Sequence, residues 1–272
     1  MSQPILVATD LSSRCDRAVD RAILLGRQVA APVIALHVAG GEKAPDPHHI
    51  ARLRAELAAQ LGEGEAELLV ECDADVPAAV ARIAADRSCG LILTGVARFN
   101  QARDSFLGTA VDALIRASDV PVLVVKQRPC APYCRIVAAT DFSDNAVHAL
   151  ETAAAIFPQV ELRAVHASQS AYETWLDESA TADFLKNEAE KDMAAFLARL
   201  PDAVRMRVEP CVEVGAVESA LMLEIDTGRA DLLVLGTHGR SAFAHVAIGS
   251  RASDMLQSLP IDALVVKGGT RA

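Results

Sequence analysis

The sequence predicts an α/β fold made of two tandem domains, each a five-stranded, mostly parallel sheet with helices on both faces. Three observations lead to this prediction. The chain has 272 residues, a comfortable length for two domains. Its apolar segments read as buried strands and alternate with segments that read as helices. The whole order of segments then occurs a second time, so the chain contains a tandem repeat of one unit.

The first copy opens on a strand, Pro4–Ala8, that leads into Thr9-Asp10 and then a helix. Ser12 is placed to act as the N-cap of that helix, because a serine hydroxyl accepts hydrogen bonds from free N–H groups. Together these elements predict a Rossmann-like domain over residues 1–127. Its further strands are expected at Val33–Val38, Glu67–Glu71, Gly90–Thr94 and Val120–Lys126, and its further helices at His48–Leu61, at Ala78–Asp86 and from Gly108-Thr109 onward.

The second copy repeats this pattern from Cys134, with Thr140-Asp141 and Ser143 at the positions of Thr9-Asp10 and Ser12. A second Rossmann-like domain is therefore predicted over residues 134–272, with Gln127–Tyr133 as a short, stiff connection. Its further strands are expected at Val160–Ala167, Arg205–Glu209, Asp231–Leu235 and Ile261–Lys267, and its further helices at Ala182–Leu200, at Val217–Asp226 and from Gly249-Ser250 onward.

A glycine-rich segment of the second copy predicts a ligand site. Gly236-Thr-His-Gly239 follows a buried strand, and nine residues later Gly249-Ser250 opens a helix. Glycines let the backbone turn sharply and approach a ligand closely, and a Gly-Ser pair at a helix start offers N–H groups and a hydroxyl to a phosphate. Ligands of open α/β sheets bind beyond the carboxyl ends of the strands. Asp141 and the residue after His166 reach the same edge, so we expect a nucleotide site there.

These residues closely resemble the universal stress protein family in its tandem form. The resemblance covers essentially the whole chain and rests on Thr140–Ser143, Val165-His166, the spacing from Gly236 to Ser250 and the final Leu-Val-Val-Lys. It implies an ATP-binding protein of the stress response that acts on protein partners not named by the sequence. ATP, with or without Mg²⁺, is the implied cofactor.

The resemblance also implies roles for residues of the second copy. Asp141 is expected near the base and ribose, the Ala167 backbone at the adenine edge, and Gly236 and Gly239 beside the ribose and phosphates. Gly249, Ser250 and Arg251 are expected to present amides and a hydroxyl to the phosphates. Ala139 and His238 complete the candidate set.

The first copy departs from the family pattern at one position. Gly95 is followed by Val96-Ala97-Arg98, so Arg98 replaces the second glycine. Its side chain either obstructs the ligand or reaches a phosphate with its guanidinium. We expect this site to be the weaker one, and its candidate residues are Asp10, Val38, Gly95, Arg98, Gly108 and Thr109.

The two copies close on nearly identical strands, and family members commonly pair domains through this edge. Apolar edge strands promote aggregation unless they are paired. We therefore expect Val122–Lys126 and Ala263–Lys267 to pair within one chain, which relates the two domains by pseudo-twofold symmetry. Whether two chains form a homodimer stays open at this point.

Composition and missing motifs argue against other functions. A net charge of −10 without a Lys/Arg cluster does not suit a nucleic-acid surface. No apolar run approaches a membrane span, and the N-terminus lacks a signal-peptide pattern, so a cytoplasmic protein is expected. No metal-ligand set and no catalytic Ser-His-Asp set can be assigned. Two alternatives remain: an interaction scaffold that binds no nucleotide, and a slow Mg²⁺-dependent ATPase.

Overall fold

A computed structural model of the chain describes residues 3–12, 15–41, 46–61, 64–96, 109–168, 178–237 and 250–268. In chain order, the strands in this part of the chain are β1 (Ile5–Ala8), β2 (Val33–Gly40), β3 (Glu67–Asp73), β4 (Leu91–Gly95), β5 (Val122–Val125), β6 (Ile136–Ala139), β7 (Leu162–Ser168), β8 (Val208–Val214), β9 (Leu232–Gly236) and β10 (Asp262–Val266). The helices are α1 (Asp16–Val29), α2 (Pro47–Gln60), α3 (Val76–Asp86), α4 (Thr109–Ala117), α5 (Asp144–Ile156), α6 (Glu178–Leu197), α7 (Asp202–Arg205), α8 (Val217–Asp226) and α9 (Ser250–Ser258).

The chain divides into two compact units that do not follow the repeat exactly. The first unit takes Met1–Pro132 together with Asp262–Lys267, and the second takes Tyr133–Ile261 with Gly268–Ala272. The last strand of the second repeat thus packs with the first repeat. The domain bounds 1–127 and 134–272, which follow the sequence repeat, stay a prediction.

The first unit is an α/β unit around the strand order β3-β2-β1-β4-β5-β10. The strands from β3 to β5 run parallel, and β10 joins β5 antiparallel, with Leu264 opposite Leu123. The inner strands β1, β4, β5 and β10 supply the aliphatic core of this sheet, with Leu6, Ile92, Leu93, Leu123 and Leu264 fully buried. The expected pairing of the two closing strands is therefore confirmed.

The second unit repeats the architecture around the order β9-β6-β7-β8, all parallel. Val137 lies between Arg163 of β7 and Leu233 of β9. Strands alternate with helices here as in the first unit, which is the connection that parallel strands require. The predicted α/β fold with mostly parallel strands is confirmed in both units.

Two local predictions are wrong. The strand expected at Arg205–Glu209 begins only at Val208, because Asp202–Arg205 forms the short helix α7 with Pro201 as its N-cap. Ser12 does not cap α1, whose N-cap is Cys15 without a side-chain hydrogen bond, since Ser12 belongs to the preceding turn and its carbonyl accepts from Cys15 N. Ser143 does cap α5, accepting from Ala146 N at 3.2 Å.

Lys126, directly after β5, gives the first unit a pH dependence. Burial lowers the pKa of its ammonium group from 10.5 to about 8, against an opposing effect of the Asp262 carboxylate. Between these two values the unfolded chain binds this proton and the folded chain does not, so this residue makes the free energy of unfolding rise with pH across the window. We expect Lys126→Met to remove that rise, measured by urea unfolding at about pH 8 and about pH 10.

The comparison must be made against the parent protein at each pH. Burial raises the pKa of the Cys15 thiol from 9.0 to about 11, so Cys15 lowers the stability as pH rises through that range. This opposite contribution is common to both proteins and cancels in their difference. An identical pH dependence of the parent and Lys126→Met would show that burial does not perturb Lys126.

Candidate functional site

Three candidate residues of the second unit lie at or just beyond the carboxyl ends of its strands. Asp141 follows β6, Ala167 lies near the end of β7, and Gly236 ends β9. β7 extends beyond β6, whose last residue Ala139 pairs with Val165. Thr140 N donates to Val165 O at 2.9 Å, and by the alternation of a strand the Ala167 backbone faces the same side. Its polar groups therefore follow the end of the β6 ladder, at the edge where a ligand was expected.

The turn after β6 is held by its own side chains. Thr140 Oγ1 accepts from Phe142 N at 3.0 Å, and Asp141 Oδ1 accepts from Ser143 N at 3.1 Å. Phe142 adopts a left-handed conformation with φ 64°, which costs a residue with a side chain about 1–2 kcal/mol. The Asp141 carboxylate thus shapes this turn, and its expected contact with base and ribose stays a prediction.

His166 supports the same turn from β7. Its Nδ1 lies 2.8 Å from Thr140 O, and because a carbonyl only accepts, Nδ1 carries the proton. The imidazole stacks on Phe142 with ring centroids 4.1 Å apart. Phe142 also lies 5.7 Å from the Phe196 ring of α6, so the strained residue is fixed on two sides. These contacts give His166 a structural role in supporting the turn.

The first unit contains the same turn. Thr9 Oγ1 accepts from Leu11 N at 3.0 Å, Asp10 Oδ1 accepts from Ser12 N at 2.9 Å, and Leu11 has φ 61°. His37 Nδ1 lies 2.9 Å from Thr9 O. Val38 stands in β2 as Ala167 stands in β7, and Gly95 ends β4 as Gly236 ends β9. The two repeats therefore share this half of the candidate site, and their differences lie in the glycine segment and the helix after it.

Gly236 packs closely against the start of α5. A Cβ at this position would lie 3.2 Å from Asn145 O, in the first turn of α5. A Cβ at Gly268 would lie 2.4 Å from Asn145 Oδ1, and Gly268 N donates to Thr237 Oγ1 at 3.3 Å. Asn145 thus packs against both the start of the glycine segment and Gly268, two residues after the end of β10. Neither Asn145 nor Gly268 belongs to the glycine pattern that predicts the site.

The phosphate half of the candidate site is described only in part. Ser250 and Thr109 are the first residues of α9 and α4, where backbone N–H groups have no partner within the helix. Arg251 is exposed in the first turn of α9. The remaining candidates lie outside the described residues: His238, Gly239 and Gly249 in the second repeat, and Arg98 and Gly108 in the first.

A carboxylate distinguishes the helix start in the first unit. Asp112 lies in the first turn of α4, at the position that Ser253 has in α9. Burial raises the pKa of this carboxyl, while Arg116 one turn later opposes the shift. A negative charge at the start of a helix competes with a phosphate for the same N–H groups. The spacing of Asp112 from Thr109 was visible in the sequence, but its burial was not.

Two kinds of feature are absent from the described residues. These residues contain no group of three or more His, Cys, Asp or Glu side chains placed to hold a metal ion. Among the helices in these same stretches, none is long and apolar enough to cross a membrane.

Comparison with known proteins gives matches over the whole length. The model of the family described as "Universal stress protein family" matches residues 1–126 and again residues 132–267. A universal stress protein of Mycobacterium tuberculosis is 32% identical over 143 residues, which is 49% of this chain and 96% of that protein. About half of this chain therefore corresponds to nearly the whole of that relative.

Solved structures agree with the two-repeat architecture. A universal stress protein from Archaeoglobus fulgidus has a TM-score of 0.63 and 18% identity, covering 100% of this chain and 98% of that one. At that identity the likeness shows the fold alone. A universal stress protein solved in complex with cAMP is 29% identical, covers 50% of this chain and 99% of its own, and has a TM-score of 0.39.

Proposed function

The chain belongs to the universal stress protein family, and from this premise we propose that it is an ATP-binding, stress-response regulatory protein. The nucleotide is held mainly by the second repeat. The observation that carries the proposal is the meeting of Asp141, the Ala167 backbone and Gly236 at the carboxyl edge of β6, β7 and β9. Ligands of open α/β sheets bind at such an edge.

Each residue of the second repeat has a chemical task in this proposal. The Ala167 backbone, beyond the end of the β6 ladder, reads the hydrogen-bonding edge of adenine. Asp141 and Ala139 border the base and ribose. Gly236, His238 and Gly239 follow the ribose and phosphates. Gly249, Ser250 and Arg251 present amides, a hydroxyl and a positive charge to the phosphates.

The first repeat is proposed as the weaker site. It keeps Asp10, Val38, Gly95, Gly108 and Thr109, but Arg98 stands where the second repeat has a glycine. The partly buried carboxyl of Asp112 adds a second difference, since it lies in the first turn of the helix that would bind phosphate.

The regulatory step is proposed as binding-linked. Nucleotide contacts the segment from Gly236 to Ser250 and thereby changes the surface offered to a protein partner in the cytoplasm. A ligand shifts such an equilibrium only by its difference in affinity for the two states. The partner surface therefore has to differ measurably between the nucleotide-bound and nucleotide-free protein.

The first test is to denature the purified protein, identify any released nucleotide by mass spectrometry and determine moles per chain. About one ATP per chain is expected from one strong site. About two would mean that Arg98 is tolerated. None, with no binding of added Mg-ATP, would favour the interaction scaffold. Magnesium-dependent turnover that is lost in Ser250→Ala would favour the slow ATPase.

Gly239→Arg recreates the first repeat's departure in the second repeat. We expect ATP affinity, measured by isothermal titration calorimetry, to fall by about tenfold or more, because a bulky side chain replaces a close approach to the ligand. ADP, AMP and cAMP titrated in parallel define the preferred nucleotide. The charge-matched control is Ser258→Arg, at the exposed far end of α9. Equal affinities of Gly239→Arg and the parent protein would refute the site assignment.

A further inference from the structure

Arg199 lies in the turn after α6 and contacts the strained turn that follows β6. Its Nη1 donates to Phe142 O at 2.7 Å, and its Nη2 pairs with the Asp144 carboxylate. Its guanidinium carbon lies 5.7 Å from the centroid of the Phe196 ring. We propose that Arg199 is a positioning residue for the nucleotide site of the second repeat. This inference rests on the proposed function and adds to it a residue that is distant in sequence from the other candidates.

The contacts explain why the turn needs such a residue. Phe142 has φ 64° and separates the end of β6 from the N-cap Ser143, so its carbonyl belongs to neither element. A hydrogen bond from a charged guanidinium is about twice as strong as one between neutral groups. Phe196, near the C-terminal end of α6, packs against the Phe142 side chain, and Arg199 in the turn after α6 binds the Phe142 carbonyl.

The same turn also fixes the neighbourhood of Gly236, the first residue of the glycine segment. Its next residues, Asp144 and Asn145, form the first turn of α5, and Asn145 O lies where a Cβ at Gly236 would come within 3.2 Å. Asp141, on the other side of Phe142, is held by Ser143 N. A shift of the Phe142 carbonyl therefore displaces Asp141 and the wall behind Gly236 at once. Arg199 acts on the ligand through these residues.

A matched control is Arg207, which contacts the opposite end of α5. Arg207 donates from Nη1 to Ala154 O at 3.3 Å, and from Nη2 to the carbonyls of Phe157 and Val160. It thus holds the C-terminal end of α5 by the same guanidinium–carbonyl chemistry that Arg199 uses at the N-terminal end. The N-terminal end of α5 is the end that faces the candidate site.

The test compares ATP affinity and melting temperature for the parent protein, Arg199→Gln, Arg199→Lys and Arg207→Gln. We expect Arg199→Gln to weaken ATP binding about tenfold, since a charged hydrogen bond is lost. Arg199→Lys, which keeps one charged donor, recovers part of this loss. Arg207→Gln lowers the melting temperature at least as much as Arg199→Gln and leaves the affinity within about twofold.

The outcomes separate this inference from the function it rests on. Unchanged affinity in Arg199→Gln overturns the positioning role while the nucleotide site stands. Equal losses of affinity in Arg199→Gln and Arg207→Gln also overturn it, because they reveal general destabilisation. A parent protein that binds none of ATP, ADP, AMP and cAMP overturns the proposed function, and the positioning role falls with it.

Discussion

Asp262→Ala is expected to lower the free energy of unfolding by about 3–5 kcal/mol, one of the two largest single-residue effects that we predict. Asp262 opens β10 and its side chain is only 2% exposed. Its Oδ2 lies 3.4 Å from Nε of Arg21, whose side chain is 7% exposed. Its Oδ1 accepts from Lys126 N at 2.8 Å and Gln127 N at 2.9 Å. Alanine would leave a buried guanidinium without this counter-charge and two N–H groups without this acceptor.

The control for Asp262→Ala is the same substitution in an exposed ion pair of the same unit. Asp119 Oδ1 lies 2.8 Å from Lys267 Nζ, and the Asp119 side chain is 93% exposed. Such surface pairs contribute about 0–1 kcal/mol, so Asp119→Ala is expected to be nearly neutral. The loss in free energy of unfolding for Asp262→Asn should fall between those for Asp262→Ala and Asp119→Ala, since its amide oxygen still accepts from a backbone N–H. Urea unfolding measures all three.

A loss below about 1 kcal/mol for Asp262→Ala would contradict the expectation. It would mean that solvent replaces the carboxylate at Arg21 once the side chain is shortened. The result bears on the fold because Asp262 belongs to the second repeat by sequence and to the first unit by packing. Its hydrogen bonds at the end of β5 fix where β10 begins its antiparallel pairing with that strand.

The fold was predictable because its signals are local and occur twice. Aliphatic strands, polar helices and the Thr-Asp turns recur in the same order, so each copy supported the reading of the other. The wrongly predicted start of β8 shows where such local patterns fail. Asp202–Arg205 forms a single helical turn through local hydrogen bonds and an ion pair, and so short an element has no periodicity to detect.

Contacts between side chains that are distant in sequence could not be predicted from the sequence. Arg21 reads as a residue on the polar face of a helix, yet it is buried against Asp262. The left-handed backbone conformation of Phe142 could not be predicted either, because aromatic residues rarely adopt it. For the candidate site, Asp141, Ala167 and Gly236 lie at the carboxyl ends of the strands, and their contacts with a ligand stay a prediction. The roles of His238, Gly239 and Gly249 likewise depend on the binding experiments.

Glu224→Ile is expected to destabilise the protein by about 3–5 kcal/mol, and Arg163→Ile added to it should restore most or all of the loss. Glu224 of α8 is 2% exposed, and its Oε2 lies 3.0 Å from Nε of Arg163 in β7 and 3.2 Å from Nε of Arg229. The Arg163 side chain is 16% exposed. Removing Glu224 alone leaves a largely buried guanidinium whose remaining ionic partner is the exposed carboxylate of Glu209.

The first repeat has isoleucines at the positions that correspond to Arg163 and Glu224, as the double variant would have. Ile34 precedes His37 as Arg163 precedes His166, and Ile83 follows Val76 in α3 as Glu224 follows Val217 in α8. These two isoleucines are 4% and 5% exposed. The corresponding positions thus hold two buried isoleucines in one unit and an ion pair in the other. Well-packed apolar residues that replace a buried ion pair are often neutral or stabilising by about 1–4 kcal/mol.

A double-mutant cycle of Arg163→Ile and Glu224→Ile, followed by urea unfolding, measures the coupling between the two residues. Each single variant is expected to be destabilised, with Glu224→Ile the worse because it strands a positive charge between β7 and α8. A double variant no more stable than Glu224→Ile would contradict this expectation. It would show that the surroundings of Arg163, including Cys211 and Glu209, accept only a charged pair, and that the two repeats differ in packing as well as in charge.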